Sequence, residues 1–369
     1  MSRLAELYGR YGQSPWIDNI RRDWLEDGTL ASLVEEGVRG VTSNPSIFAK
    51  ALATSTAYDE RVARVRDAGD VEAIFESLAI EDVRDACDVL AAVHEASREE
   101  RESGRRRYLD GFVSLEVSPR LAHDTGATVA AARRLAAAVG RSNLMVKIPA
   151  TREGLPAVAA VLAEGINVNV TLIFSVTRYA EVLDAWMSGL EQARGAGRSI
   201  SEIASVASFF VSRVDTAVDA LLDEGDPRRG TTAVHQAAAA YRTYWGAVSS
   251  ARAAELLDAG AQVQRPLWAS TSVKNPDYDE LLYVDSLVAD ETVNTMPDAT
   301  LRAAAEHGVF TRSVLRDAPS TMRAADALTR LGEEIDLDVV TERLEEEGVR
   351  AFVDSYEEVL ATVARKAGQ

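Results

Sequence analysis

Short runs rich in valine, isoleucine, leucine and aromatic residues alternate along this chain with longer Ala-, Glu- and Arg-rich segments. Eight such runs stand out, at residues 16–20, 37–44, 108–118, 143–149, 166–175, 203–211, 265–274 and 282–288. Between them, residues 127–139, 154–163 and 177–193 carry apolar side chains at helical spacing and predict helices. Residues 275–281, before the last run, are too few for a standard helix. Strands separated by helices pair in parallel, because each return requires a long crossover. Eight such units predict an α/β fold, a closed (β/α)8 or TIM barrel. The alternative is an open doubly wound sheet, which would place a glycine-rich turn after its first strand. Here the chain continues Ile17-Asp18-Asn19-Ile20, without glycine.

The rest of the chain has helical patterning. Helical insertions are expected at about 44–100, and a helical C-terminal tail at about 298–369, with 321–331, 337–347 and 351–367 as its candidate helices. No linker, repeat or low-complexity tract interrupts the pattern, so residues 1–369 are expected to form one barrel domain with helical additions.

Within the runs, polar residues fall on one parity. Side chains alternate across a strand, so Ser114, Glu116 and Ser118 share a face opposite Val113, Leu115 and Val117. Asn167, Asn169 and Thr171 alternate with Val168, Val170 and Leu172. Thr42 and Asn44 share a face, and Ser270, Ser272 and Lys274 share one with Trp268. A half-wet antiparallel sheet would also show this alternation, but the intervening helices must cover the apolar faces. In a barrel the polar parity points to the axis, where an unpartnered group costs roughly 1–3 kcal/mol. These residues gather late in each run, at the end where barrels hold their active sites, and so predict a substrate pocket.

Lys147 is the one cation in the apolar run Leu144-Met145-Val146-Lys147-Ile148-Pro149. Such a lysine could extend its stem until the ammonium reaches water. Held in a dry setting, the neutral amine is favoured and can add to a ketone carbonyl to form an imine. Asp18 and Glu116 come together across the barrel mouth by chain order, and paired carboxylates suit proton transfer; a turn or helix cap is the alternative for Asp18. Arg213 follows the sixth run and Lys274 ends the seventh, where barrels often bind phosphate; plain surface solvation is the alternative for each.

Composition narrows the partners. Of 369 residues 47% are hydrophobic and 27% charged, and the formal net charge is −18. Such a chain repels nucleic acid and anionic membranes, and a phosphorylated metabolite would need local cations. One cysteine, Cys87, in a helical apolar pattern, excludes a disulfide framework and suits a reducing cytoplasm; a small core residue explains it better than a nucleophile. The four histidines form no metal-binding spacing, so no zinc site is expected. Residues 1–10 lack the apolar run of a signal peptide, and no stretch of about 18 apolar residues predicts a membrane span. A homo-oligomer is compatible with the chain but not specified by it.

Three segments resemble one family. Val41-Thr42-Ser43-Asn44-Pro45-Ser46 resembles the T-[ST]-N-P-[ST] signature of transaldolases. Met145-Val146-Lys147-Ile148-Pro149-Ala150-Thr151 is similar to the segment around their imine-forming lysine, and Asn169-Val170-Thr171-Leu172-Ile173-Phe174-Ser175 to their N-x-T-L-x-F-S segment. The order agrees, and the resemblance covers roughly residues 13–297. The Trp16-Ile17-Asp18-Asn19 start and Thr292-Val293-Asn294-Thr295-Met296-Pro297 look like the longer bacterial branch.

The resemblance implies a role for each position. Lys147 would form the imine, Asp18 would exchange the proton of the substrate hydroxyl, and Glu116 with Thr171 and a water would shuttle protons. Asn44 and Asn169 would bind hydroxyls, and Thr42, Ser208 and Phe210 would line the pocket. Arg213 and Lys274 would hold the phosphate; arginine is frequent at the second position, and lysine keeps the charge but loses the fork. The implied reaction moves dihydroxyacetone from sedoheptulose 7-phosphate to glyceraldehyde 3-phosphate, giving erythrose 4-phosphate and fructose 6-phosphate, without metal or organic cofactor. A fructose 6-phosphate aldolase, which releases free dihydroxyacetone, is the near alternative; Glu116 and the extra helices argue against it. A non-catalytic sugar-phosphate-binding barrel is the remote one, disfavoured by the joint presence of Lys147, Asp18 and Glu116.

Overall fold

A computed structural model of the chain describes residues 2–66 and 69–368. Eight parallel strands close on themselves in chain order: β1 (Gln13–Ile17), β2 (Gly40–Val41), β3 (Phe112–Glu116), β4 (Leu144–Pro149), β5 (Val168–Ile173), β6 (Ser205–Phe210), β7 (Arg265–Ala269) and β8 (Thr292–Met296). Closure is made by β8 against β1, with Gln13 opposite Thr292 and Ile17 opposite Met296. Every residue of β4, β5 and β6 is buried, as expected of strands covered by helices outside and filled by side chains inside. The barrel expected from the alternation is thus present.

The helix Val176–Gly195 packs on Gly154–Ala163 at a distance that Gly189 permits, since a β-carbon there would lie 2.7 Å from Leu162 Cβ. No helix among the described residues is long and apolar enough to cross a membrane.

The N-terminal end of the barrel is plugged by charge. The carboxylate of Asp110, fully buried, accepts from Ser14 Oγ at 2.5 Å, Arg39 Nε at 2.9 Å, Trp16 Nε1 at 3.0 Å and Arg265 Nη2 at 3.1 Å. Burial alone would raise the Asp110 pKa, but the Arg265 and Arg39 charges and the Ser14 hydrogen bond hold it below the ordinary value. At this end the carboxylate of Asp110 is satisfied internally, whereas polar residues at the other end face a cavity.

Three expectations are corrected. Residues 282–288 are not the last strand: Leu282–Asp285 is a short helix, and β8 is Thr292–Met296. Tyr283, Val284, Leu287 and Val288 are buried at helical rather than alternating spacing, whereas Thr292, Asn294 and Thr295 lower the apolarity of the true strand. β1 begins three residues earlier than expected, because the Gln13 amide NH2 and the Ser14 hydroxyl find partners inside the protein; Gln13 Nε2 donates to Leu287 O at 2.7 Å and Thr292 Oγ1 at 2.9 Å.

Residues 337–347 and 351–367 are one continuous helix, Leu337–Ala367. Gly348, which breaks the sequence pattern, lies inside it and lets it approach the barrel. A β-carbon there would meet Leu172 Cδ2 at 3.1 Å and the Phe174 ring at 3.4 Å. This C-terminal helix also packs on the insertion helices Pro45–Thr54 and Val71–Val89.

Candidate active site

At the C-terminal ends of the strands a cavity of about 170 Å3 opens. Lys147, in β4, reaches it with its stem enclosed, and the residue is only 4% exposed. Its Nζ donates to Ser43 O at 3.1 Å and lies 3.4 Å from Glu116 Oε2. The amine therefore does not extend into bulk water. Parallel register sets the pair: Glu116, the last residue of β3, is the direct neighbour of Lys147 across the ladder.

Asp18 follows β1 and faces the same cavity. Its Oδ1 accepts from Thr42 Oγ1 at 2.6 Å, and that hydroxyl lies 2.7 Å from Thr295 Oγ1. Burial raises the Asp18 pKa against the pull of the Lys147 charge and the Thr42 hydrogen bond. Burial likewise pushes Glu116 up to about 7, offset in part by Lys147 and reinforced by the charge of Asp18. Two desolvated carboxyls thus share one amine. Among the described residues neither Thr171 Oγ1 nor Glu116 Oε2 has a close hydrogen-bond partner, although Glu116 Oε2 faces the Lys147 amine, so a water or a substrate hydroxyl can engage both.

Asn169 lies deeper and is fully buried. Its side chain donates to Ser114 Oγ at 3.0 Å and accepts from Ser208 Oγ at 2.7 Å, crossing the interior from β3 to β6. Asn44 caps the helix Pro45–Thr54 by accepting from Ile47 N at 3.1 Å; its amide NH2 stays available at the cavity wall. The cap and the pocket position are compatible.

Phe210, at the end of β6, and Arg213 form the far wall, with the guanidinium 5.4 Å from the ring centroid. Lys274 joins them and donates to Ser272 Oγ at 2.7 Å. Burial lowers the pKa of both cations, and the Arg213 charge adds to the effect on Lys274. Among the described residues neither is in salt-bridge contact with an acid, whereas most other arginines of this acidic chain are paired. Two adjacent cations, with Glu347 near Arg213 but not in salt-bridge contact with it, make a receptor for an anion such as phosphate.

The chain matches the Transaldolase/Fructose-6-phosphate aldolase family over residues 15–363. It belongs to that family. It is 50% identical to a transaldolase of Mycolicibacterium smegmatis over 95% of this chain and 93% of the relative. It is 52% identical to one of Thermobifida fusca, with 96% of each covered, and 51% identical to one of Mycobacterium tuberculosis, with 95% and 93% covered. The resemblance carried by the three sequence segments is borne out over nearly the whole chain, and the chain is an enzyme of the transaldolase family.

Within this family member, nine of the eleven expected site residues line the cavity: Asp18, Thr42, Asn44, Lys147, Thr171, Ser208, Phe210, Arg213 and Lys274. Glu116 and Asn169 lie just beneath them, in contact with Lys147 and Ser208. Other polar positions do not join. Ser118 lies past the end of β3, beside a separate cavity that Tyr356 also lines. Asn167 precedes β5 and ties strand starts together, donating to Ser142 O and Leu144 O. Trp268 points away from the axis and meets Phe209 edge-to-face, as Phe209 in turn meets Tyr179. The left-handed backbone at Ser270, φ 57°, breaks the alternation after β7, so Ser270, Ser272 and Lys274 line the cavity although they share Trp268's parity. Cys87 is buried and its thiol is pushed up to about 12 by burial, which fits a core residue.

Two further contacts tie the element that carries Arg213 to the segment that follows Lys274. The helix Ser212–Asp219, which carries Arg213, presents Asp215 and Asp219 to the segment after β7. Tyr283 Oη donates to Asp215 Oδ2 and Tyr278 Oη to Asp219 Oδ2, each at 2.7 Å. Sequence reasoning passed over these pairs, and over Ser46, Thr295 and Phe352 in the cavity wall. Thr295 sits in a recognised segment, but nothing local to residue 352 signals its place.

Proposed function

We propose that this protein transfers a dihydroxyacetone unit from sedoheptulose 7-phosphate to glyceraldehyde 3-phosphate, forming erythrose 4-phosphate and fructose 6-phosphate in the non-oxidative pentose phosphate pathway. The observation that carries this reading is the amine of Lys147, enclosed beside Glu116 and sharing its surroundings with Asp18, in a cavity whose far wall holds two cations outside salt-bridge contact with any acid among the described residues. The acidic chain and its enclosed Cys87 accord with a cytoplasmic enzyme acting on small sugar phosphates.

In this mechanism Lys147 adds to the ketose carbonyl, and loss of water gives a protonated imine. The imine draws electrons from the neighbouring carbon–carbon bond, while Asp18 takes the proton of the hydroxyl beyond it. The aldehyde leaves and the three-carbon unit stays on Lys147 as an enamine. On condensation with the acceptor aldehyde Asp18 returns the proton. Glu116, near 7, holds either protonation state at neutral pH and, with Thr171 and a water between them, serves both formation and hydrolysis of the imine. Asn44, Asn169, Thr42 and Ser208 bind hydroxyls and Phe210 packs against the sugar chain, while Arg213 and Lys274 hold the phosphate.

Borohydride reduction in the presence of fructose 6-phosphate, followed by mass spectrometry, tests this. A dihydroxyacetone-sized adduct is expected on Lys147, and none in Lys147→Ala. An unmodified wild-type chain would refute the mechanism. The family also holds aldolases, and assays with and without an acceptor aldehyde separate the two. The transaldolase relatives, matched over nearly their whole length, favour transfer.

A further inference from the structure

The C-terminal helix Leu337–Ala367 brings one aromatic ring to the site. Phe352 lines the cavity with Lys147, Asp18 and Phe210, is itself 4% exposed, and has its ring centroid 5.7 Å from Lys147 Nζ. We infer that Phe352 is a specificity-determining residue, an apolar wall that keeps water from the Lys147-bound intermediate and commits it to the aldehyde acceptor. The inference rests on the transfer reading above and deepens it.

The position of the ring is over-determined. Gly348, one turn earlier, seats the helix against Leu172 and Phe174, at the end of β5. One turn on the other side, Ser355 Oγ lies 2.7 Å from Ser46 Oγ, and Ser46 is itself in the cavity wall. Tyr356 Oη donates to Glu72 at 2.7 Å, and Arg120 forks onto Glu357 at 2.8 Å on both nitrogens. Contacts on both sides of residue 352 thus fix the helix over the strand ends, and the side chain aimed at the amine is one that offers water no hydrogen bond.

The chemistry makes that wall matter. After cleavage the enamine on Lys147 has two fates. Its nucleophilic carbon can attack the aldehyde, forming a carbon–carbon bond. Alternatively that carbon takes a proton, water adds to the resulting imine carbon, and the carbon–nitrogen bond breaks to leave free dihydroxyacetone and the lysine amine. Both fates end with a water hydrolysing an imine on Lys147, so what separates them is whether the enamine carbon meets the aldehyde first or a proton delivered by water. The polar walls, Asp18, Thr42 and Thr171, can hold water, whereas Phe352 removes one approach of water to the enamine before the aldehyde arrives.

The test is the partition between transfer and release, measured as fructose 6-phosphate formed against free dihydroxyacetone at a saturating acceptor. Phe352→Ala is expected to raise the release fraction roughly tenfold, and Phe352→Leu, which keeps apolar bulk, by roughly two- to threefold. A helix that merely lost packing would slow both fates together and leave their ratio unchanged. A wild-type ratio in a folded Phe352→Ala, with the borohydride adduct still on Lys147, overturns the inference while leaving the mechanism standing. If the alanine variant does not fold, a wild-type ratio in Phe352→Leu overturns it equally. Failure to trap any adduct in the wild type would instead remove the reading beneath it.

Discussion

Lys147 Nζ and Glu116 Oε2 stand 3.4 Å apart, on adjacent strands, with both side chains almost wholly enclosed. Burial of an ion pair is costly unless the pair does something with the charge. Here the cost shows in Glu116, whose pKa rises to about 7 even beside the lysine.

Glu116→Gln therefore tests proton shuttling directly. The amide keeps the shape and loses the exchangeable proton. kcat is expected to fall by roughly 10²–10⁴, the usual worth of general acid–base catalysis. In the wild type the carboxylate fraction is lost as pH falls through about 7, so the rate profile should bend there. Steady-state rates from about pH 5 to pH 9 should show that bend in the wild type and not in the variant.

Arg213 and Lys274 are tested by substrates with and without phosphate. Arg213→Ala removes a fork-shaped donor, and KM for phosphorylated substrates is expected to rise roughly 10–100-fold. Lys274→Ala should have a smaller effect of the same kind, because a single ammonium offers a point charge. With glyceraldehyde as acceptor and no phosphate to bind, either change should move KM little. An equal loss on both acceptors would place these cations outside phosphate binding.

Asp215 links acidity to stability. Burial raises its pKa from 3.8 to about 6, despite hydrogen bonds from Ala233 N and Tyr283. Between those values the folded protein keeps a proton that the unfolded chain has released. The stabilisation this group contributes is fully present below about pH 4 and is lost progressively as pH rises from there through about 6, a span on the order of 3 kcal/mol. Asp215→Asn removes the titration. Its Tm relative to wild type should improve between about pH 4 and pH 7 and hold steady above that, and an offset already constant from about pH 4 to pH 7 would count against the shift.

Gly348→Leu tests the seat of the C-terminal helix. Leucine in a helix interior is favoured over glycine by about 0.8 kcal/mol. The space is taken, however, since even a β-carbon would lie 3.1 Å from Leu172. Overpacking is expected to prevail at roughly 1–3 kcal/mol, so thermal unfolding should show a lower Tm. A raised Tm would mean that the helix is not pressed against β5.

Seven of the eight strands were legible in local pattern, because a strand buried on both faces must be apolar over a continuous stretch. β8 escaped because Thr292, Asn294 and Thr295 read as polar, and because Tyr283, Val284 and Leu287 made an apolar run that folds as a helix and its flank. The chemical residues were legible for the converse reason. Lys147 and Glu116 are charges in apolar runs, and such charges need partners.

The sequence by itself determined the barrel, the lysine and the carboxyls around it, because alternation and burial are written in neighbouring residues. Tertiary structure decided the rest. Ser270 reverses the face of its segment through one left-handed backbone position, Tyr283 reaches Asp215 from 68 residues away, and Phe352 meets Lys147 across 205 positions of chain. Such contacts leave no local period to read: they arise only when the barrel has closed and the last helix has come to rest over its mouth.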